Sequence, residues 1–208
     1  MMKIIPIKYG ETTIPESMCF ENGDKNKHYS IVFKIYLIKI KEKHILVDAG
    51  CETMPWFEMQ DFIGSVKALE NIGITPEQIT DVLITHSHHD HIECVKYFKN
   101  ATIHIQKSEY EKGKKYIPDD FKVNIFQDEF SVCKNVKITK IGGHSQGSSI
   151  VEINNNNKIY VIVGDECYLR ECFQKKIPTG SSFDKEKSKN FIKKYSDKKY
   201  TILMCHDM

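Results

Sequence analysis

A short segment, Thr85–His91, concentrates the side chains that could bind a metal ion. Four of the nine histidines and one aspartate lie within residues 86–91. His86, His88 and Asp90 are spaced two residues apart, so an extended chain would direct all three side chains to the same side. Imidazole and carboxylate groups grouped in this way are typical ligands of metal ions such as Zn²⁺. The segment therefore predicts a metal centre, which His91 can join if the chain turns into a helix there.

The residues around this segment predict how it is positioned. An apolar run, Asp81–Ile84, predicts a strand before it, and residues 92–98 predict a helix after it. Three more polar residues, His144, Asp165 and His206, each follow an apolar strand-like run. Because functional loops gather at one end of the strands in sheet proteins, these three residues could converge on the same centre.

The order of the predicted elements indicates the fold class. Ser30–Ile40 and His44–Asp48 predict a β-hairpin, and apolar residues at helical spacing predict a helix over Phe57–Ile72. Strands precede helices in each half of the chain, which predicts two packed β-sheets with helices on their outer faces. The sequence has no low-complexity linker, so we expect one α+β domain over residues 1–208.

Composition excludes several classes of protein. Thirty basic and 28 acidic residues give a net charge of +2. This excess of basic residues is too small to indicate the basic surface typical of a nucleic-acid-binding protein. No apolar run reaches the length of a membrane span, and the N-terminus does not resemble a signal peptide. The seven cysteines lack a paired Cys-x-x-Cys framework, which predicts free thiols and a cytoplasmic location. We expect a small-molecule substrate, and the sequence leaves the oligomeric state open. Four cysteines beside the motifs are expected to be buried core residues: Cys51, Cys94, Cys167 and Cys205.

Taken together, the motifs resemble those of the metallo-β-lactamase superfamily. The shared pattern is Thr85-His-x-His-x-Asp-His91, then Gly143-His-x-x-Gly147, then Gly164-Asp165, and finally His206. It begins at Asp48, the Asp-x-Gly at a strand end, and so covers nearly the whole chain in the family's order. The resemblance implies a four-layer αβ/βα sandwich, which agrees with the element order above.

The resemblance also implies a two-metal centre and a ligand set for each ion. One ion would take His86, His88 and His144, the other would take Asp90, His91 and His206, and Asp165 would bridge them. Two Zn²⁺ ions are expected, although Mn²⁺ or Fe²⁺ can use such ligands. Asp48 is expected to orient a ligand histidine or its loop. His89 is expected to point away from the centre.

One branch of the superfamily is favoured by Asp165-Glu-Cys-Tyr168. This run is similar to that of the N-acyl homoserine lactone lactonases, where the tyrosine contacts the substrate carbonyl. The resemblance implies hydrolysis of a lactone by metal-activated water, with Asp90 moving a proton to the leaving alkoxide. Two features differ from those lactonases: the segment after Asp48-Ala-Gly50 is shorter, and Ile92-Glu-Cys94 replaces the usual glycines.

Three other functions are compatible with the same motifs. A thioesterase of the glyoxalase II type would use the same centre on a different acyl group. A mononuclear iron enzyme would use His86, His144 and Asp165 for persulfide or oxygen chemistry. A non-catalytic member would keep the fold and bind a metabolite, but the complete ligand set favours an enzyme.

Overall fold

The computed structural model describes residues 2–208, which form two compact units. The first contains Phe33–Gln127 and the chain up to Glu11, and the second contains Thr12–Val32 and Asp128–Met208. The first unit contains most of one β-sheet, and the second unit contains the other sheet. Within residues 2–208, no helix is both long enough and apolar enough to span a membrane.

The sheet of the first unit has six strands that are adjacent in chain order. They are β1 (Met2–Pro15), β2 (His28–Ile40), β3 (Lys43–Val47), β4 (Asp81–Ile84), β5 (Thr102–Gln106) and β6 (Lys122–Phe126). The predicted hairpin is present as β2 and β3, which are antiparallel, whereas β3 to β6 are parallel. Since β3 and β4 are parallel neighbours, Asp48 and the Thr85–His91 segment leave the sheet at the same edge.

The helices of the first unit are short and differ in part from the predicted ones. They are the α-helices Ser65–Asn71, His89–Ile92 and Lys107–Gly113, and the 3₁₀ helices Pro76–Gln78, Glu93–Tyr97 and Lys114–Tyr116. The helix predicted over Phe57–Ile72 is wrong in its first half, because Asp61 and Gly64 have φ of +45° and +78° and a right-handed helix excludes such values. The helix predicted over residues 92–98 is a 3₁₀ helix.

The sheet of the second unit has five strands in the order β11-β10-β9-β8-β7. They are β7 (Glu129–Cys133), β8 (Val136–Lys140), β9 (Ser149–Asn155), β10 (Lys158–Ile162) and β11 (Tyr200–Leu203). Helices cover Glu16–Cys19, Glu171–Lys175 and Lys185–Tyr195. His144 therefore lies in the β8–β9 connection, Asp165 follows β10, and His206 follows β11.

The core of each unit is apolar, and many of its buried residues come from the strands. β4 is buried along its whole length, as expected for a parallel strand covered on both faces. In the second unit, Phe191 and Ile192 of the helix Lys185–Tyr195 are buried. The four cysteines predicted to be core residues are buried, and all seven cysteines are free.

A buried polar network lies at the start of β4, at the opposite end of the strand from Thr85. His104 Nε2 lies 3.0 Å from Asp81 Oδ1, and Lys43 Nζ donates to Asp81 Oδ2 at 2.7 Å. Burial alone would raise the pKa of Asp81, but the hydrogen bonds from His104 and Lys43 outweigh it and lower the pKa to about 2. His104 thus compensates for the burial of the Asp81 carboxylate.

We expect Asp81→Asn to lower the free energy of unfolding by about 1–3 kcal/mol at neutral pH, because hydrogen bonds to a charged acceptor are lost. Urea denaturation measures this, and Asp119→Asn at an exposed position is the control. Because the folded-state pKa is lowered, the contribution is complete above the unfolded pKa of about 4. The difference between wild type and variant should therefore shrink as the pH falls from about 4 towards 2. A difference that is constant with pH would contradict this account.

Candidate metal centre

The first unit brings the histidines of the motif together. Thr85 follows β4, and His88, whose backbone is extended, is the N-cap of the helix His89–Ile92. His86 Nε2 lies 3.0 Å from His88 Nδ1, and the rings of His86 and His91 have centroids 4.1 Å apart. The turn into a helix therefore places His91 beside His86.

Asp90 is held in this group through both its side chain and its backbone. Its Oδ2 lies 3.2 Å from His91 Nε2, and its backbone carbonyl accepts a hydrogen bond of 2.7 Å from the Tyr9 hydroxyl. Burial raises the pKa of Tyr9, which keeps this hydroxyl protonated as a donor. Tyr9 was not found from the sequence, because nothing in β1 marks a tyrosine that contacts a residue 81 positions later.

Asp48 connects the strand end of β3 to the motif. Its carboxylate accepts hydrogen bonds from Thr85 N at 2.7 Å and Thr85 Oγ1 at 2.9 Å, and its Oδ2 lies 2.8 Å from His91 Nδ1. Asp48 has φ of +61°, a left-handed conformation that costs a non-glycine residue on the order of 1–3 kcal/mol. These contacts hold the strained conformation in place and orient the His91 ring.

Two buried glutamates hold the neighbouring segments, and sequence reasoning assigned neither this role. Glu109 accepts hydrogen bonds from Ser87 N at 2.9 Å and Ser87 Oγ at 2.7 Å, which fixes the residue between the first two histidines. Glu93 accepts from Glu52 N at 2.9 Å and so holds the segment after Asp48-Ala-Gly50. Of the two, Glu93 alone was noted from the sequence, as a difference from the lactonases. The sequence did not predict that Glu93 would hold a neighbouring segment.

His89 faces the same segment. Its Nε2 lies 2.8 Å from the Thr53 carbonyl oxygen, its Nδ1 lies 3.4 Å from the Tyr116 hydroxyl, and its ring packs edge-on against Trp56. The Trp56 side chain is 66% exposed. The contacts of His89 are thus those of a residue that positions a surface segment beside the motif.

The second unit places an aspartate between two histidines. Asp165 Oδ2 lies 3.4 Å from His144 Nε2, and Asp165 Oδ1 lies 3.0 Å from His206 Nε2. His206 is oriented through its other nitrogen, since Nδ1 lies 3.0 Å from the Val32 carbonyl oxygen. Each oxygen of this carboxylate therefore lies within 3.4 Å of an imidazole nitrogen.

Tyr168 lies against the same two histidines. Its ring centroid is 5.1 Å from that of His206 and 5.9 Å from that of His144, and its residue is 8% exposed. The predicted catalytic tyrosine is therefore beside the imidazoles of its own unit.

The residue after Asp165 supports the loop that carries His144. Glu166 accepts hydrogen bonds from Gly143 N, His144 N and Ser148 Oγ. Burial raises the pKa of Glu166 to about 7, although these hydrogen bonds act in the opposite direction.

The donor atoms fit a divalent metal ion. Within the first unit, a ligand atom of His86 lies within 4.8 Å of one of His88, and the same holds for Asp90 and His91. Within the second unit, Asp165 is equally close to His144 and to His206. Buried imidazole nitrogen and carboxylate oxygen atoms are the ligands that zinc and related ions take from proteins. Each unit thus presents one set of metal-binding groups.

Comparison with known families identifies the class of protein. The model of the metallo-beta-lactamase superfamily matches residues 34–206. The chain therefore belongs to this superfamily, and the predicted resemblance and α+β fold are confirmed. It is a metal-dependent hydrolase.

Individual relatives agree with this classification. A probable metallo-hydrolase of Methanocaldococcus jannaschii is 30% identical over 163 residues, which are 78% of this chain and 70% of the relative. An N-acyl homoserine lactonase of Bacillus cereus is 26% identical over 204 residues, covering 83% of this chain and 80% of the lactonase. A solved structure of an N-acyl homoserine lactone hydrolase, with N-hexanoyl-L-homoserine bound at its catalytic metal centre, superposes with a TM-score of 0.86 at 22% identity. That match covers 99% of this chain and 93% of the other, and shows that the fold is shared.

We expect Asp48→Gly to weaken metal binding by about 10–100-fold, because the partner that orients His91 and Thr85 is removed. Glycine adopts the positive φ without strain, so the variant removes the carboxylate without disturbing the backbone conformation at this position. Titration with zinc against a chelator of known affinity measures the effect. Asp61→Gly, also at positive φ, is the matched control. Equal zinc affinity of Asp48→Gly and wild type would contradict the role given to Asp48.

Proposed function

We propose that the metal-binding groups of the two units form one binuclear zinc centre that hydrolyses a lactone. The ligands of one ion are His86, His88 and His144, those of the other are Asp90, His91 and His206, and Asp165 bridges the two. The observation that carries this proposal is the position of Asp165, which has one imidazole at each carboxylate oxygen. The closely grouped histidines of the first unit support it.

The lactone is proposed from Tyr168 and from the relatives. The Tyr168 ring packs against His144 and His206, and in this proposal its hydroxyl contacts the substrate carbonyl. N-acyl homoserine lactonases from several bacteria are similar to this chain over most of its length. In the proposed reaction, water adds to the lactone carbonyl, the ring C–O bond breaks, and a hydroxy acid is formed.

The residues of the chain have distinct roles in this reaction. Zinc, when bound, supplies a Lewis acid and lowers the pKa of a water ligand towards neutrality. Tyr168 donates a hydrogen bond to the carbonyl oxygen as negative charge develops there. Asp90 takes a proton from the attacking water and delivers it to the leaving alkoxide, so protons balance over the cycle. Tyr9 keeps Asp90 in place through its backbone carbonyl.

The setting of the reaction is part of the same proposal. Seven free cysteines support a reducing compartment, and we propose the cytoplasm. The near-neutral charge balance supports a small-molecule substrate rather than nucleic acid. The family match extends across both units, which supports their acting as one domain over residues 1–208.

A substrate panel tests the proposed reaction against its alternatives. Zinc-loaded protein should hydrolyse N-acyl homoserine lactones with a higher kcat/KM than acyl thioesters or phosphodiesters. A thioester preference would indicate the glyoxalase II type of activity instead. Bound zinc without turnover of any compound would favour a non-catalytic metabolite-binding protein.

We expect Tyr168→Phe to lower kcat on the preferred lactone by about 10²–10³-fold, since one hydrogen-bond donor to the developing oxyanion is removed. Zinc content should stay at the wild-type value, because the tyrosine is not among the proposed ligands. Steady-state kinetics and elemental analysis measure the two quantities. Tyr160→Phe, which removes a hydroxyl from β10 in the same unit, is the control. Wild-type kcat in the Tyr168 variant would exclude this residue from catalysis.

A further inference from the structure

A buried glutamate spans the loop that carries His144. Glu166 is fully buried, and its Oε1 lies 3.2 Å from Gly143 N, 3.3 Å from His144 N and 2.5 Å from Ser148 Oγ. Gly143 and His144 lie in the first half of the β8–β9 turn, residues 141–148, and Ser148 ends it. One carboxylate oxygen thus accepts hydrogen bonds from both halves of the turn.

The approach of this carboxylate to the backbone depends on Gly143. A Cβ atom at this position would lie 2.2 Å from Glu166 Oε2 and 2.5 Å from Ser188 Oγ. Only glycine therefore leaves room for the side chain of Glu166 at the turn. The pairing of a glycine in one loop with a glutamate in another indicates a specific contact rather than general packing.

Stability alone does not account for this glutamate. Its Oε2 is buried and has no hydrogen-bond partner among residues 2–208. A buried polar atom without a partner costs about 1–3 kcal/mol, and a well-packed neutral residue at such a site is often as stable or more stable. A buried carboxylate that leaves one oxygen unpaired while the other contacts the backbone of a proposed metal ligand indicates a role in the site.

We propose that Glu166 is a positioning residue that fixes His144 for metal binding through the backbone of the His144 loop. The proposal rests on the proposed function, since it takes His144 to be a metal ligand. Asp165 contacts the side chain of His144, and its chain neighbour Glu166 contacts the backbone. Two consecutive residues therefore set both the ring and the main chain of the same ligand. Glu109 contacts the backbone of Ser87 in the same manner in the first unit.

Zinc affinity of the folded protein tests the proposal. In Glu166→Ala, the zinc ion that uses His144 should bind about 10–100-fold more weakly, because a partner outside the ligand set has been removed. The other ion, on Asp90, His91 and His206, should keep its wild-type affinity. Competition with a chromogenic zinc chelator resolves the two binding steps. Glu152→Ala is the matched control, since this glutamate contacts Tyr195 and Lys137 in the same unit.

Two further measurements separate positioning from general destabilisation. Glu166→Gln keeps an acceptor oxygen and should recover most of the lost affinity. In metal-free protein, hydrogen exchange should be faster in Glu166→Ala only around residues 142–148. Faster exchange throughout the second unit, with both zinc ions weakened alike, would overturn the proposal in favour of a structural role.

The remaining outcomes are also decisive. Wild-type affinity for both zinc ions in Glu166→Ala would overturn the positioning role. Wild-type protein that binds two zinc ions but hydrolyses no lactone would refute the proposed function, and the affinities of the Glu166 variants would still decide the inference. Wild-type protein without measurable zinc affinity would overturn both.

Discussion

Imidazole and carboxylate groups can be buried only where other polar groups compensate for the lost water, and this constraint governs both units. The five most buried of the proposed ligands, His86, His91, His144, Asp165 and His206, are at most 3% exposed. In the first unit, Asp48 replaces part of the lost hydration: its carboxylate accepts a hydrogen bond from Thr85 N and contacts His91 Nδ1. Asp48 has a left-handed backbone conformation in this position. In the second unit the ligands compensate one another, with Asp165 between two imidazoles. The same hydrogen bonds and contacts also orient the imidazole rings, and metal-binding histidines require a fixed ring orientation.

Much of this arrangement was predictable from local sequence. The two-residue spacing of His86 and His88 predicted side chains on one side of an extended chain, and the two nitrogens lie 3.0 Å apart. Strand ends predicted the places of Asp165 and His206, because apolar runs followed by a polar residue mark the edge of a sheet. The motif order predicted the superfamily, which the family match over residues 34–206 confirms.

The supporting residues were not predictable, because they act through tertiary contacts. Tyr9 contacts Asp90, and Glu109 contacts Ser87 from a helix whose own sequence pattern has no unusual feature. Periodicity also failed between residues 57 and 64, where the positive φ of Asp61 and Gly64 overrides an apolar spacing that fits a helix.

The places where the chain differs from the lactonases have structural roles of their own. Glu93 stands where glycine was expected and holds the short segment after Gly50 through the backbone of Glu52. His89 holds the same segment through Thr53, and leaves Trp56 largely exposed beside the motif. Glu93 and His89 therefore both hold the surface segment beside the proposed centre.

The number and identity of the bound metal ions test the central claim most directly. Elemental analysis of the purified protein should give two zinc ions per chain, as expected if the proposed ligands act together. A single iron ion per chain would contradict the binuclear zinc centre and would indicate a mononuclear iron enzyme on the same fold.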